Sequence, residues 1–311
     1  MTTHDKVTIL DGGMGRQLER IGAPFRLPEW SALALIEAPH LVQKAHEQFI
    51  ESGAEIVTTN TYAIKPHQIG AERFKAEGLL LADRAGRVAR AAADQAGRPV
   101  RVAGSLPPVF ESYRPELFDA AGAPEILKVL VEGLAPHVDL WLVETQSSTV
   151  EALAAIKAVA DHPRPIWVSY TLKDEAGRTG PPELRSGETV ATGVAKAVNA
   201  GAVSILFNCS QPEVMEAAIR AARETLVADG RSDVTIGVYA NAFAAEEESD
   251  EPYAGISDIR ADVTPACYLV WATRWIEAGA SIVGGCCGIG PEHIAEIRHH
   301  LDPARPETPT S

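Results

Sequence analysis

Three of the four cysteines in this 311-residue chain stand where their sulfur atoms could act together. Cys286 and Cys287 are adjacent and lie among glycines, and Cys209 ends a separate apolar segment. Thiolate sulfur favours zinc among the common metals, and a catalytic zinc site has three protein ligands and an open fourth position. We therefore predict that Cys209, Cys286 and Cys287 bind one Zn²⁺ and leave one coordination position for a substrate.

The chemistry expected of such a site is alkyl transfer to a thiol. Three thiolates donate much charge to zinc, which makes the ion a poor generator of hydroxide, but a thiol that binds in the fourth position still loses its proton. A free thiol with a pKa of ~8.5 is only slightly ionised at neutral pH. The fourth cysteine, Cys267, falls inside a predicted helix, and we interpret it as a small buried side chain rather than a ligand.

Short apolar segments that alternate with helical segments must position these thiols. Strands are predicted over residues 7–11, 55–60, 100–105, 140–145, 166–171, 204–209, 234–241 and 281–286. Helices are predicted over residues 40–51, 74–96, 124–135, 150–160, 189–199, 213–226, 265–277 and 291–301. A strand followed by a helix, eight times over, is typical of a single-domain α/β protein of the (β/α)8 TIM-barrel type. We assign residues 1–301 to the barrel and residues 302–311 to a flexible C-terminal tail.

An internal repeat supports the barrel. Gly53, Gly201 and Gly279 each follow a predicted helix and precede a strand, as expected of a glycine that ends a helix in the left-handed conformation. Seven residues after each glycine stands a polar or metal-binding side chain. An open doubly wound sheet is the alternative, but the first strand is not followed by its Gly-x-Gly-x-x-Gly turn.

Active sites of such barrels lie at the carboxyl ends of the strands. The predicted ends carry Asp11, Asn60, Ser105, Glu144, Thr171, Asn208 with Cys209, Asn241, and Cys286 with Cys287. An Asn or Ser there could simply form a turn. Two acids and three thiols on one rim instead indicate a site. The longest loop, residues 242–262, is predicted to form a mobile lid edge or a solvated face.

Composition and charge exclude several classes of partner. The chain has 28 Lys+Arg against 42 Asp+Glu, a net charge of −14, which disfavours binding to nucleic-acid phosphates. We find no apolar run of about 18 residues that could span a bilayer, and no secretory signal. We expect a cytoplasmic protein, a monomer or weak homodimer, that acts on small molecules and binds neither nucleic acid nor membrane.

Six motifs occur in order along the chain: Asp11-Gly12-Gly13-Met14-Gly15, Trp30-Ser31-Ala32, Asn60-Thr61-Tyr62, Glu144-Thr145, Asn208-Cys209-Ser210 and Gly284-Gly285-Cys286-Cys287-Gly288. Together they resemble the homocysteine S-methyltransferase family, over nearly the whole chain. The Gly-Gly-Cys-Cys motif with an upstream Asn-Cys is the most specific of them. The resemblance implies a zinc-bearing (β/α)8 barrel that methylates L-homocysteine to methionine.

The resemblance also assigns roles to individual residues. The three thiols would be the zinc ligands, with no catalytic residue beyond the metal site. Asp11 and Glu144 match the acidic positions near the homocysteine amino group, which is reasonable because carboxylates bind an ammonium group well. Asn60 and Asn208 would orient loops or ligands.

The methyl donor divides the family. Trp30-Ser31-Ala32 and the single-barrel length resemble the enzymes that use S-methylmethionine or S-adenosylmethionine, whereas residues 288–291, Gly-Ile-Gly-Pro, are closer to the betaine enzymes. Residues 104–108, Gly-Ser-Leu-Pro-Pro, replace the Gly-Pro-Tyr-Gly type of loop that the sulfonium-using enzymes would have after the third strand. Each of these donors carries a cationic centre, which Trp30, Tyr62 or Tyr113 could hold against a ring face.

Two hypotheses from other classes remain open at the level of sequence. A non-enzymatic zinc or thiol sensor on the same scaffold would have a closed, four-ligand site. A metal-free lyase would use Glu144 as its base and would tolerate loss of all three thiols.

Overall fold

Eight parallel strands form a nearly closed barrel in the computed structural model, which describes residues 7–175, 177–244 and 258–302. The strands are β1 (Thr8–Ile9), β2 (Ile56–Thr58), β3 (Arg101–Leu106), β4 (Leu140–Gln146), β5 (Ile166–Tyr170), β6 (Ser204–Asn208), β7 (Thr235–Tyr239) and β8 (Ile282–Val283). Each pairs with its neighbours in chain order and β1 pairs with β8, while a parallel bridge from Leu10 to Ile56 joins β1 to β2. The predicted TIM barrel is confirmed.

Helices surround the barrel. They are α1 (Met14–Arg20), α2 (Ser31–Glu37), α3 (Pro39–Glu51), α4 (Pro66–Ile69), α5 (Ala71–Asp94), α6 (Ala123–Leu134), α7 (Thr149–Ala158), α8 (Val190–Asn199), α9 (Pro212–Ala228), α10 (Pro265–Ala278) and α11 (Pro291–Leu301). The eight predicted helices correspond to α3 and α5–α11. The short helices α1, α2 and α4 lie in the connections after β1 and β2 and were not predicted.

The three repeated glycines do what their position in the sequence predicts. Gly53, Gly201 and Gly279 follow α3, α8 and α10 with φ of +111°, +108° and +120°, values that a residue with a Cβ rarely adopts. The chain then enters β2, β6 and β8 within a few residues. The repeat is therefore a helix-to-strand turn that delivers each strand to the barrel.

Apolar side chains fill the barrel on both faces of the sheet. On β4, Leu140 and Leu142 belong to the inner core, whereas Trp141 and Val143 pack in the outer core against the helices. Because successive residues of a strand point to opposite faces, this arrangement places Glu144 on the inner face. The continuous apolar runs in the sequence arise from this burial on both sides.

Two details of the sequence interpretation are wrong. Strand β8 ends at Val283, so Cys286 and Cys287 follow the strand rather than end it. The apolar residues before the cysteines predict a longer strand, but β8 pairs with β1 and β7 only at Ile282 and Val283. Cys267 lies in α10 as predicted but is exposed, because it occupies the outward face of the first turn.

Parts of two other predictions concern residues that the structure does not describe. Residues 245–257 of the predicted lid loop and residues 303–311 of the predicted tail lie outside the described residues. Among the helices that are described, none is long and apolar enough to cross a membrane.

One buried residue of α3 predicts how stability depends on pH. His46 is fully buried, neither ring nitrogen has a hydrogen-bond partner within the described ranges, and burial lowers its pKa to about 4. Because the unfolded chain binds a proton near pH 6.5 and the folded chain does not, stability should fall as the pH drops below 6.5. We expect His46 to contribute a loss of about 2 kcal/mol between pH 7.5 and pH 5.

Urea unfolding of the wild type and of His46→Leu at both pH values measures this effect. The leucine variant should lose less stability on acidification, by roughly that amount. His300→Leu, which changes an exposed histidine of α11, serves as the control and should lose as much stability on acidification as the wild type. An identical loss in His46→Leu and in the wild type would contradict the prediction.

Candidate active site

A ring of polar side chains lies directly above the apolar interior of the barrel. The alternation of strand residues that places Glu144 on the inner face does the same for one residue near the end of each neighbouring strand. These inner-face residues are Thr58 (β2), Ser105 (β3), Glu144 (β4), Ser169 (β5), Asn208 (β6) and Tyr239 (β7). Most are linked by hydrogen bonds, so the ring forms a preorganised floor for a cavity at the carboxyl ends of the strands.

The two predicted acids lie in this floor. Asp11 accepts hydrogen bonds from the amide (2.7 Å) and the hydroxyl (3.0 Å) of Thr58. Glu144 accepts hydrogen bonds from the hydroxyls of Ser105 and Tyr239, the latter at 3.4 Å. Neither carboxylate forms an ion pair with any residue that the structure describes.

Burial governs the protonation of both acids. It raises the pKa of Asp11 to about 7, an effect that the hydrogen bonds from Thr58 reduce and the nearby charge of Glu144 increases. It likewise raises the pKa of Glu144 to about 7, and the hydrogen bonds from Ser105 and Tyr239 act in the opposite direction. Two buried carboxylates without a cationic partner favour a positively charged ligand.

The three predicted thiols converge at the same mouth. Cys209 directly follows β6 and has a φ of +48°, and Cys286 and Cys287 follow β8. The Sγ atoms of Cys209 and Cys287 are 4.0 Å apart, and all three sulfurs lie within 4.8 Å of one another. Sulfurs that coordinate one zinc at about 2.3 Å stand roughly 3.8 Å apart. The three sulfurs therefore fit a shared ion after small side-chain adjustments.

Cys209 and Cys286 form a disulfide in this structure, with their Cα atoms 5.7 Å apart. A metal needs both sulfurs as thiolates, so this pair must be reduced before an ion can bind. Burial, and secondarily the charge of Glu144, raise the pKa of the Cys287 thiol to about 11. A bound cation would be needed to hold this thiol deprotonated at neutral pH.

The glycines around the cysteine pair are required mainly for space. A Cβ on Gly285 would lie 2.2 Å from Cγ2 of Ile289, and one on Gly284 would lie 2.5 Å from Cβ of Leu10. Only Gly288 of this motif has a positive φ, +83°. Within this motif, therefore, only Gly288 uses the backbone conformation that glycine favours.

Comparison with known proteins identifies the family that shares this arrangement. The family model for homocysteine S-methyltransferase matches residues 8–301. The chain belongs to the homocysteine S-methyltransferase family. It is accordingly an enzyme of the methyltransferase class, which removes the sensor alternative.

Similar proteins in this family have related names. Homocysteine S-methyltransferase 3 of Zea mays is 27% identical over 94% of this chain and 90% of its own length. A selenocysteine methyltransferase of Astragalus bisulcatus is also 27% identical, over 94% of this chain and 91% of its own. Among solved structures, the metallated form of the homocysteine methyltransferase MmuM from Escherichia coli superposes with a TM-score of 0.75, at 25% identity, covering 95% of this chain and 96% of that one.

The two predicted asparagines of this methyltransferase form hydrogen bonds to residues around the site. The side-chain oxygen of Asn208 accepts hydrogen bonds from the amide of Thr145 (3.0 Å) and the hydroxyl of Ser169 (2.7 Å). Its Nδ2 donates to Oγ1 of Thr145 (2.8 Å) and lies 3.9 Å from Sγ of Cys286. Asn60 donates to the carbonyl of Ser31 at 3.0 Å, which ties β2 to the start of α2.

A cavity of about 260 Å³ joins these groups. The predicted residues Asp11, Trp30, Asn60, Glu144 and the three cysteines line it, whereas Asn208 lies just beneath. Among the residues that the structure describes, four other than glycine have positive φ, and all four line the cavity: Trp30 (+48°), Tyr113 (+66°), Thr145 (+58°) and Cys209 (+48°). Backbone strain of this kind concentrates at functional sites.

Sequence reasoning missed several cavity residues of this methyltransferase. Arg16 of α1, Tyr239 of β7, and His67, Gln68 and Glu111 of the connections after β2 and β3 all line it. Tyr239 could have been found from its position at the inner face of a strand end. The others lie in short helices or loops, where no periodic signal marks the side that faces the cavity.

Proposed function

We propose that this chain is a zinc-dependent homocysteine S-methyltransferase that uses S-methylmethionine or S-adenosylmethionine as its methyl donor and forms methionine. One observation carries the proposal: three sulfurs within 4.8 Å of one another share a cavity with two buried, unpaired carboxylates. Homocysteine has the matching pair of groups, a thiol for the metal and an ammonium for the acids.

The acids Asp11 and Glu144 bind and orient the amino-acid end of homocysteine. A bound ammonium supplies the positive charge that both buried carboxylates lack, and it stabilises their ionised forms. The hydrogen bonds from Thr58, Ser105 and Tyr239 hold the carboxylates in place before the substrate arrives. Such preorganisation directs the substrate thiol toward the three cysteines.

Cys209, Cys286 and Cys287 would hold Zn²⁺, which would supply the Lewis acidity that keeps an incoming thiol deprotonated at neutral pH. In the reaction, the homocysteine sulfur forms a bond to the donor methyl carbon. The bond between that carbon and the donor sulfonium breaks, and its electron pair stays on the donor sulfur. With S-methylmethionine, both products are methionine.

The aromatic side chains of the cavity differ in their ability to hold the donor cation. Nζ of Lys65 lies 4.9 Å from the ring centre of Tyr62, and the guanidinium of Arg185 lies 4.9 Å from that of Tyr113. Trp30 instead packs edge-on against Phe25, with 5.9 Å between ring centres. Because two of the three rings already contact a protein cation, Trp30 is the best candidate for binding the onium group.

A reducing compartment such as the cytoplasm suits this function. It would keep Cys209 and Cys286 as thiols that can bind the metal.

Formation of methionine by the reduced protein tests the proposal. Homocysteine is supplied with S-methylmethionine, S-adenosylmethionine or betaine in parallel, and methionine is measured by mass spectrometry. We expect methionine with at least one sulfonium donor, about one zinc per chain, and loss of activity on chelation that added Zn²⁺ restores. Activity that survives complete removal of zinc would reject the metal-dependent mechanism, and methionine formed from betaine alone would favour the alternative donor class.

A further inference from the structure

The cavity contains polar groups that the binding of homocysteine does not use. His67 and Gln68 belong to α4, which follows β2, and Glu111 lies in the loop after β3. We call these three residues the β2–β3 cluster. The thiols enter the cavity from the opposite direction, after β6 and β8. The cluster therefore lies on the side of the cavity away from the thiols.

Gln68 lines the cavity and has an unsatisfied acceptor. Its Oε1 is buried and has no hydrogen-bond partner among residues 7–175, 177–244 and 258–302. A buried polar atom without a partner is costly, and native structures contain few of them. Gln68 lines the cavity, and a turn of its side-chain amide toward that space would let a ligand N–H or O–H group supply the missing hydrogen bond.

Glu111 adds a negative charge next to α4, the helix that carries Gln68. Its Oε1 lies 3.8 Å from Nε2 of His67. Burial, together with the nearby charge of Lys65, lowers the pKa of His67 to about 4, so the imidazole is uncharged at neutral pH and leaves the carboxylate negative. Nζ of Lys65 donates to the carbonyls of Pro108 (3.0 Å) and Phe110 (3.3 Å), which fixes the loop that carries Glu111.

We propose that Gln68 and Glu111 bind the primary ammonium of the methyl donor and so select α-amino-acid sulfonium donors. This inference rests on the proposed function, in which Asp11 and Glu144 are occupied by the ammonium of homocysteine. A second amino acid needs a second set of acceptors, and the β2–β3 cluster provides one. A quaternary ammonium such as betaine has no N–H group and would leave Oε1 of Gln68 unpaired.

Direct binding tests this proposal without requiring turnover. Calorimetric titration of the reduced, zinc-containing protein compares S-methylmethionine with dimethylsulfoniopropionate, which has the sulfonium and the carboxylate but no ammonium. We expect S-methylmethionine to bind about 10-fold more tightly or better, as the loss of one charge-assisted hydrogen bond predicts. Gln68→Leu and Glu111→Gln should each weaken the binding of S-methylmethionine about 5- to 10-fold. Neither variant should change the binding of dimethylsulfoniopropionate.

Two controls separate this subsite from a general disturbance of the protein. Gln95→Leu and Glu132→Gln make the same chemical changes at exposed positions outside the cavity and should bind both sulfonium compounds like the wild type. Homocysteine binding should be unchanged in Gln68→Leu and Glu111→Gln, and where turnover is measured, KM for S-methylmethionine should rise while kcat stays within about two-fold.

Equal affinity for the two sulfonium compounds, undetectable binding of S-methylmethionine, or unaltered binding in both cluster variants would overturn the inference. Failure of the proposed function looks different. In that case no donor yields methionine, whereas the titrations still report whether Gln68 and Glu111 recognise an ammonium group.

Discussion

Replacing Cys209 with serine is expected to reduce zinc from about one ion per chain to almost none and to lower methionine formation more than about 100-fold. Cys209 supplies one of three converging sulfurs, and a serine hydroxyl is a much poorer zinc ligand than a thiolate. Changes to residues that only support metal ligands already cost about 10- to 100-fold, so loss of a ligand should cost more. Elemental analysis and the methionine assay on protein purified under reducing conditions measure both effects.

The chain contains a matched control for this experiment. Cys267→Ser makes the same change at an exposed position of α10 that is not part of the sulfur cluster, and it should retain zinc and activity. Zinc content near one per chain in Cys209→Ser, with activity intact, would show that the three sulfurs do not form the metal site. Loss of zinc from Cys267→Ser as well would point to general destabilisation.

Glu144→Gln should raise KM for homocysteine about 30-fold or more, with a much smaller effect on KM for the methyl donor. The substitution keeps the size of the side chain but removes the charge that would bind the substrate ammonium. Hydrogen bonds between charged groups contribute about 1.5–3 kcal/mol, which sets the expected size of the effect. Steady-state kinetics with each substrate varied in turn, together with calorimetric binding of homocysteine, measure it.

Stability gives an independent check on the same variant. Because burial raises the pKa of Glu144 from 4.5 to about 7, the wild type pays a cost for an ionised, unpaired carboxylate above that pH. Glu144→Gln should therefore be at least as stable as the wild type at pH 8, with the difference shrinking as the pH falls below 7 and Glu144 becomes protonated in the folded state.

A milder variant distinguishes the loss of the Glu144 charge from the loss of a hydrogen bond that positions the carboxylate. Tyr239→Phe removes the hydroxyl that donates the 3.4 Å hydrogen bond to Glu144, and it should raise KM for homocysteine by a few-fold. An unchanged KM in Glu144→Gln, or a Tyr239→Phe effect as large as that of Glu144→Gln, would contradict the assignment of Glu144 as the group that binds the ammonium.

The sequence alone determined the barrel and the residues that approach its mouth. Strands buried on both faces must be continuously apolar, and a helix that ends at a glycine leads directly into the next strand, as at Gly53, Gly201 and Gly279. Both rules act over a few neighbouring residues, so their patterns can be recognised in the sequence without knowledge of the tertiary contacts. Since all parallel strands of a barrel end on one side, the predicted strand ends brought Asp11, Glu144 and the three thiols to one cavity.

Only the tertiary structure decided how those residues face one another and what completes the cavity. The disulfide between Cys209 and Cys286 joins residues 77 positions apart in the chain, and the extent of β8 depends on its pairing with β1 and β7. The unsatisfied oxygen of Gln68 belongs to α4, which contacts the loop after β3 through His67 and Glu111. Side chains in loops and short helices follow no periodic pattern, so their direction is set by packing against distant residues, which a sequence does not display.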